Sequence, residues 1–377
     1  MRYLFVTVDG GGSLYPLLAL AQRLSARAHD VRFLCCRSQV AAITRAGLEL
    51  RTYSGAPDFD MADRDDVIQD WKVDQEEAVR SYCEVIWFGP AADVARAVLT
   101  EVDRERPDVL VVDHFAYGAG IAAEILGLPT AVLWHTSFRE SDRFNELGLA
   151  TLNAARTELG LEPGATIYDG YRRADRILAL TSPEYAGPDP VPANLRYVGP
   201  QLPPGSEPDL GSRDPGTPPR VLVSLGTTFQ DQEGLLARVV AALGQLDVHA
   251  LVGTGHAVRF DGPVPANVEV TPWVDHAAVL DQVDLVVTHG GLGSIMAASA
   301  FGVPLLCLPL GRDQHDNAHR VAALGIGLTA DADLDTAGLT DAIRRALDDP
   351  ALRERAQFLA RAGSARYDDA VHELESL

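Results

Sequence analysis

A chain of 377 residues exceeds what one hydrophobic core organises, so two or three domains are expected. With 47% hydrophobic and 23% charged residues the composition is globular, and a formal net charge of -21 excludes a nucleic-acid partner and disfavours docking on anionic lipid. No run is long and apolar enough for a membrane span or a signal-peptide core, and the four cysteines show no Cys-x-x-Cys spacing. They read as buried thiols in a reducing compartment, so a cytoplasmic protein without a membrane partner is expected, as monomer or homodimer.

The first expected strand, residues 3–8, runs into Asp9 and the glycines Gly10, Gly11 and Gly12. Pro16 fits the first turn of the helix that follows, where its missing N–H costs nothing. Strands are expected at 31–36 and 48–53. Residues 55–90 are irregular and contain Met61 beside the aromatics Phe59, Trp71, Tyr82, Trp87 and Phe88. A strand at 108–113 ends on Asp113, a helix over 118–126 stops at Gly127-Leu128-Pro129, and strands follow at 130–135 and 177–181. Residues 199–220, dense in proline, glycine and charge, read as a linker. Beyond it, strands are expected at 221–225, 249–252, 268–271, 285–289, 305–308 and 325–329. Such alternation of apolar strands with helices means doubly wound parallel sheets. Two Rossmann-like α/β domains, 1–200 and 221–355, are expected to face each other across a cleft, with a C-terminal helix over 356–377 returning to the first. Ligands in such sheets sit beyond the carboxyl ends of the strands.

Three turns in the second half carry that chemistry. Residues 285–298 (LVVTHGGLGSIMAA) pass from strand through a glycine turn into a helix. Gly290, Gly291 and Gly293 let backbone N–H groups approach an anion, Ser294 is suited to cap the helix, and His289 can donate to phosphate. The turn after 221–225 offers Gly226, Thr227 and Thr228. Residues 309–317 (PLGRDQHDN) offer Asp313 and Gln314 to a polyhydroxylated ligand. A dinucleotide fingerprint is absent: the Gly-x-Gly spacing fails at 289–294, and Tyr15 stands where the first loop would need glycine.

In order and spacing, Trp273-Val274, HGGLGS, FGVP at 301–304 and GRDQ at 311–314 resemble the nucleotide-sugar-binding half of GT-B glycosyltransferases, above all the actinobacterial enzymes that decorate antibiotics. The resemblance spans nearly the whole chain. It implies that Trp273 stacks on a nucleobase whose edge meets the Val274 backbone. It further implies that His289, Gly291, Gly293, Ser294 and Thr227 hold the diphosphate, with Gly12 from the first loop, and that Asp313 and Gln314 bind sugar hydroxyls. One departure is Asp275-His276, where many relatives carry Pro-Gln.

A second departure concerns the acceptor. In most of the family a histidine at the position of Ser13 is the general base, oriented by an aspartate at the position of Asp113. A serine hydroxyl cannot hold a proton at neutral pH, and base assistance is worth roughly 10²–10⁴ in rate. Either Asp113 takes the proton, directly or through Ser13 or a water, or the acceptor is a phenol, a hydroxylamine-type group or an activated carbon that needs little help, or the chain binds donor without catalysis. His114 and His135, at strand ends, are candidate substitutes. An aromatic acceptor pocket is expected from Phe59, Trp87, Phe88, Phe115 and Phe138, suiting a hydrophobic aglycone. The expected reaction is a direct, inverting displacement at the anomeric carbon without metal or cofactor. Asp-x-Asp patterns occur, but among 53 acidic residues they are expected by chance. A nucleotide-sugar epimerase and a non-catalytic donor-binding auxiliary protein are the competing functions.

Overall fold

The computed structural model describes residues 1–54, 59–63, 69–136, 142–188, 190–202, 217–364 and 369–377. Most of the expected linker, and Phe138, lie outside the described residues. The chain divides into two compact units, the first formed by Met1–Met61, Asp65–Pro204 and Tyr367–Leu377, the second by Ala62–Arg64 and Gly205–Arg366.

Both units are doubly wound parallel α/β sheets. Among the described residues the first contains β1 (Arg2–Val6), β2 (Asp30–Cys35), β3 (Glu49–Thr52), β4 (Val109–Asp113), β5 (Thr130–Trp134), β6 (Arg176–Ala179) and β7 (Leu195–Tyr197), in the order 3-2-1-4-5-6-7. The second contains β8 (Arg220–Ser224), β9 (His249–Gly253), β10 (Val268–Thr271), β11 (Leu285–Thr288), β12 (Leu305–Cys307) and β13 (Gly327–Thr329), in the order 10-9-8-11-12-13. Each sheet begins at its centre, winds to one edge and crosses over to build the other side. The crossing sets a switch point between β1 and β4, and another between β8 and β11, where the loops at the strands' carboxyl ends part and leave room for a ligand.

The continuous apolar runs are explained by burial on both faces. β4 and β5 are buried at every position. Alternate residues feed separate cores: Leu4, Val6, Leu110, Val112 and Val132 pack on one face of the first sheet, and Tyr3, Phe5, Val109, Val111 and Leu133 on the other. Strand ends differ from the sequence expectation by a residue or two, and the short β7 is an element the periodicity does not reveal. Gly127 ends the helix Tyr117–Leu126 in the left-handed region (φ +57°), its N–H bonded to the Ala123 carbonyl.

The C-terminal segment corrects one expectation. In place of a single helix over 356–377 there are two, Pro350–Ser364 and Ala370–Glu375. Gly363 and Ser364, poor helix formers, end the first, and Asp369 caps the second by accepting the Val371 N–H at 3.0 Å. The last helix packs within the first unit: Tyr3 Oη donates to the Leu374 carbonyl, while Arg27 and His29 both meet Glu375. The four cysteines are free and buried, and among the described residues no helix is long and apolar enough to cross a membrane.

Candidate functional site

At the switch point of the second unit, β11 runs through His289 and Gly290 into the helix Leu292–Ala300. Gly290 has φ +92°, a conformation that favours glycine. Gly291, not Ser294, is the N-cap, and no side chain caps the helix. Ser294 is instead its third residue, with no hydroxyl partner among the described residues. The first intrahelical bond runs from Ile295 N–H to the Gly291 carbonyl at 3.2 Å. The N–H groups of Leu292, Gly293 and Ser294 thus have no intrahelical acceptor and carry the positive end of the helix dipole. A methyl added at Gly293 would meet no heavy atom within 4 Å.

The His289 imidazole sits between two glycines. A Cβ on Gly291 would lie 2.6 Å from Nε2, and one on Gly226 3.1 Å from it, so neither position accepts alanine unless the ring moves. Burial pushes His289 down to about 4, against a hydrogen bond with the Ser224 backbone and with the added push of the Arg312 charge. The ring is therefore neutral at pH 7. Arg312 adopts φ +56°, unusual for a residue with a Cβ, and donates to Thr228 Oγ1 at 2.6 Å. The Thr227 hydroxyl beside it has no partner among the described residues.

Trp273 is 37% exposed, stacked in parallel on His256 with ring centroids 5.8 Å apart. Val274 packs close over Gly253, where an added Cβ would lie 3.1 Å from its Cγ2. Asp275 caps the helix His276–Val279 through the Ala277 N–H, which gives this departure from the family pattern a structural role. Asp313 is exposed and accepts from Asn317 Nδ2 at 2.9 Å; the same amide reaches the Gly290 carbonyl at 3.0 Å. Gln314 is already engaged. It is 2% exposed, its Oε1 accepts the N–H groups of Leu310 and Gly311, and its Nε2 donates to Gln230. The amide holds the turn together and leaves at most one N–H for a sugar.

In the first unit, β4 lies between β1 and β5, so the loops after all three meet around Asp113. Asp113 is fully buried and its carboxylate is saturated: Oδ1 accepts the Phe115 N–H (3.0 Å) and His135 Nε2 (2.8 Å), and Oδ2 accepts the hydroxyls of Thr7 (3.1 Å) and Ser13 (3.3 Å). Ser13 is itself 5% exposed. His114 is sealed in, and burial drives its imidazole well below the ordinary range, with the neighbouring His135 adding to the shift. Asp113, His114 and His135 bring three potential metal-ligand atoms within 4.8 Å of one another. Asp9 pins the glycine loop by accepting the Gly11 N–H, the Ser38 hydroxyl and the Met61 N–H; its burial raises the carboxyl above its usual range. Gly12 is exposed on this loop.

The aromatic expectations divide. Phe115 stacks on Trp87 at 5.0 Å and meets His135 edge-on at 4.7 Å, and Phe144 meets Trp87 edge-on at 5.4 Å. A π-helical turn, Cys83–Trp87, sets Trp87 there, and Gly89 is needed because a Cβ would strike the Glu84 carbonyl at 1.8 Å. Phe59 and Phe88 are buried core side chains at 4% and 1% exposure, Phe88 seated where any side chain on Gly148 would collide with it. Neither lines an open surface. Phe138 falls outside the described residues.

Residues 237–371 match the family model described as "Erythromycin biosynthesis protein CIII-like, C-terminal domain". The chain is 30% identical to the 4'-demethylrebeccamycin synthase of Lentzea aerocolonigenes over 100% of this chain and 99% of that protein. It is 32% identical to the elloramycin glycosyltransferase ElmGT of Streptomyces olivaceus, covering 95% and 93%. The chain belongs to the antibiotic glycosyltransferases. Among solved structures it is similar to the spinosyn rhamnosyltransferase SpnG complexed with thymidine diphosphate, with a TM-score of 0.71 and 26% identity over the full length of both chains. In this glycosyltransferase the features that residue types alone did not reveal are Arg312 near His289, His256 behind Trp273, and the contact of His135 with Asp113. Arg312 and His135 stand next to motifs the sequence displays. Their partners become visible only with the strand order.

Proposed function

We propose that this enzyme transfers a deoxysugar from a thymidine diphosphate donor to a flat, hydrophobic aglycone, with inversion and without a metal. The observation that carries this reading is the turn 289–294: an uncapped helix end, three N–H groups without intrahelical acceptors, a neutral His289 fitted between glycines and the Arg312 cation nearby. Those groups suit a diphosphate leaving group, whose negative charge grows as the glycosidic bond breaks. Trp273, exposed over about a third of its surface and backed by His256, suits a nucleobase. Thymidine is favoured because the similar spinosyn enzyme holds thymidine diphosphate. The aglycone class follows from the aromatic row Trp87, Phe115 and Phe144, and from the antibiotics for which the relatives are named. Asp313, exposed at the start of the next helix, suits sugar hydroxyls. A single in-line displacement inverts the anomeric carbon. The test is release of thymidine diphosphate from thymidine-diphosphate glucose in the presence of a hydroxycoumarin acceptor and a chelator. Release that needs the acceptor and persists with the chelator supports the reading; loss of activity on chelation refutes the metal-free mechanism.

A further inference from the structure

Asp113 cannot reach an acceptor. It is fully buried, and four donors already occupy its two oxygens. Ser13, equally enclosed, gives its hydroxyl proton to that carboxylate, so it neither takes a proton nor relays one outward. His114 is enclosed and neutral, its Nδ1 buried without a partner and its Nε2 near the Thr136 hydroxyl.

His135 is different. It follows β5, two residues past the Leu133 that pairs with Asp113, and its side chain keeps 8% of its surface exposed. A carboxylate can only accept, so His135 Nε2 carries the proton in the 2.8 Å bond to Asp113, and Nδ1 holds a lone pair. Nδ1 has no hydrogen-bond partner among the described residues and is not one of the enclosed polar atoms. The ring edge is framed by Phe115, which continues the row to Trp87.

Resting on the transfer reading above, we propose that His135 is the general base, and that Asp113 positions it and stabilises its charged form. In the reaction the acceptor O–H bond breaks and its proton passes to His135 Nδ1. The oxygen forms its bond to the anomeric carbon as the sugar–diphosphate bond breaks, and that electron pair leaves with the diphosphate. The resulting imidazolium faces the Asp113 carboxylate, and later returns its proton to water. A base in this chain has therefore moved from the loop after β1 to the loop after β5, while the aspartate between them keeps its place. Among the described residues, the charged and titratable groups around His135 are Asp113 and His114 from the end of β4; Ser13 from the loop after β1 shares the same carboxylate.

The experiment measures kcat for the wild type and for His135→Gln and His135→Ala, using thymidine-diphosphate glucose and a series of ring-substituted 7-hydroxycoumarins of graded acidity. The expected loss in kcat is roughly 10²–10⁴-fold, with KM for the donor unchanged. The loss shrinks as the coumarin becomes more acidic, and the acid limb of the wild-type pH profile disappears in the variants. Added imidazole restores part of the turnover of His135→Ala, a response that a merely structural histidine would not give. Turnover within a few-fold of the wild type in both variants overturns the proposal and leaves the transfer reading standing. Failure of the wild type to turn over any acceptor removes the transfer reading, and this one with it. Stoichiometric zinc bound through His135, with activity lost on chelation, overturns the base role as well.

Discussion

Replacing Gly293 with alanine separates what the turn 289–294 does for the fold from what the proposal has it do for a ligand. The backbone there is not in the left-handed region, and the added methyl would meet no protein atom within 4 Å. Alanine is favoured over glycine in a helix by about 0.5–1 kcal/mol, so Gly293→Ala leaves stability unchanged or raises it. For a unit of this size that is a rise in Tm of about 2–4 °C at most. The methyl nevertheless projects into the space that the reading assigns to the diphosphate, and a displaced charge-assisted hydrogen bond costs about 1.5–3 kcal/mol. Isothermal titration with thymidine diphosphate should accordingly show Kd weakened about 10- to 150-fold while the melting curve does not fall. Gly291→Ala is the contrast, because its Cβ would press on His289 at 2.6 Å and lower both affinity and Tm. Unchanged affinity in Gly293→Ala would refute the placement of the diphosphate at this turn.

Acid should destabilise the second unit through its buried imidazole. His289 is lowered to about 4, so between pH 6.5 and 4 the unfolded chain binds a proton that the folded one refuses, and stability falls as pH falls through that window. His276 shifts in the same direction by burial, as does His114 in the first unit. Thermal melts from pH 7 to 4 check this, and a slope unaltered by His289→Gln would contradict it. Phe88→Ala should cost about 3–5 kcal/mol of stability by opening a cavity beside Gly148, whereas Trp87→Ala should change KM for the acceptor more than Tm. Paired melts and acceptor kinetics distinguish the two, and the reverse pattern would exchange their roles.

The fold was legible because strands buried on both faces read as unbroken apolar runs, and because glycine marks turns of positive φ or close approach to a ring. Strand order was not legible, since alternation along the chain says nothing about which strands lie side by side. The family resemblance pairs the positions of Ser13 and Asp113, but that His135 meets the same carboxylate is visible only with the strand order. Gln314 shows a different limit. Its amide suits a sugar by residue type, but the Leu310 and Gly311 N–H groups already claim its oxygen. Phe59 and Phe88 show the same limit for apolar residues, because a pocket wall and a core have one composition. The serine at position 13 does signal a change, and of the two histidines the sequence offers in its place, only His135 reaches the Asp113 carboxylate through a hydrogen bond in the structure.

The most direct measurement is the anomeric configuration of the product formed from thymidine-diphosphate glucose and a hydroxycoumarin, read from its proton NMR coupling. The account predicts a glycoside of configuration opposite to the donor, with thymidine diphosphate released in equal amount. Retention of configuration, or conversion of the donor sugar to an isomer without transfer, would contradict it.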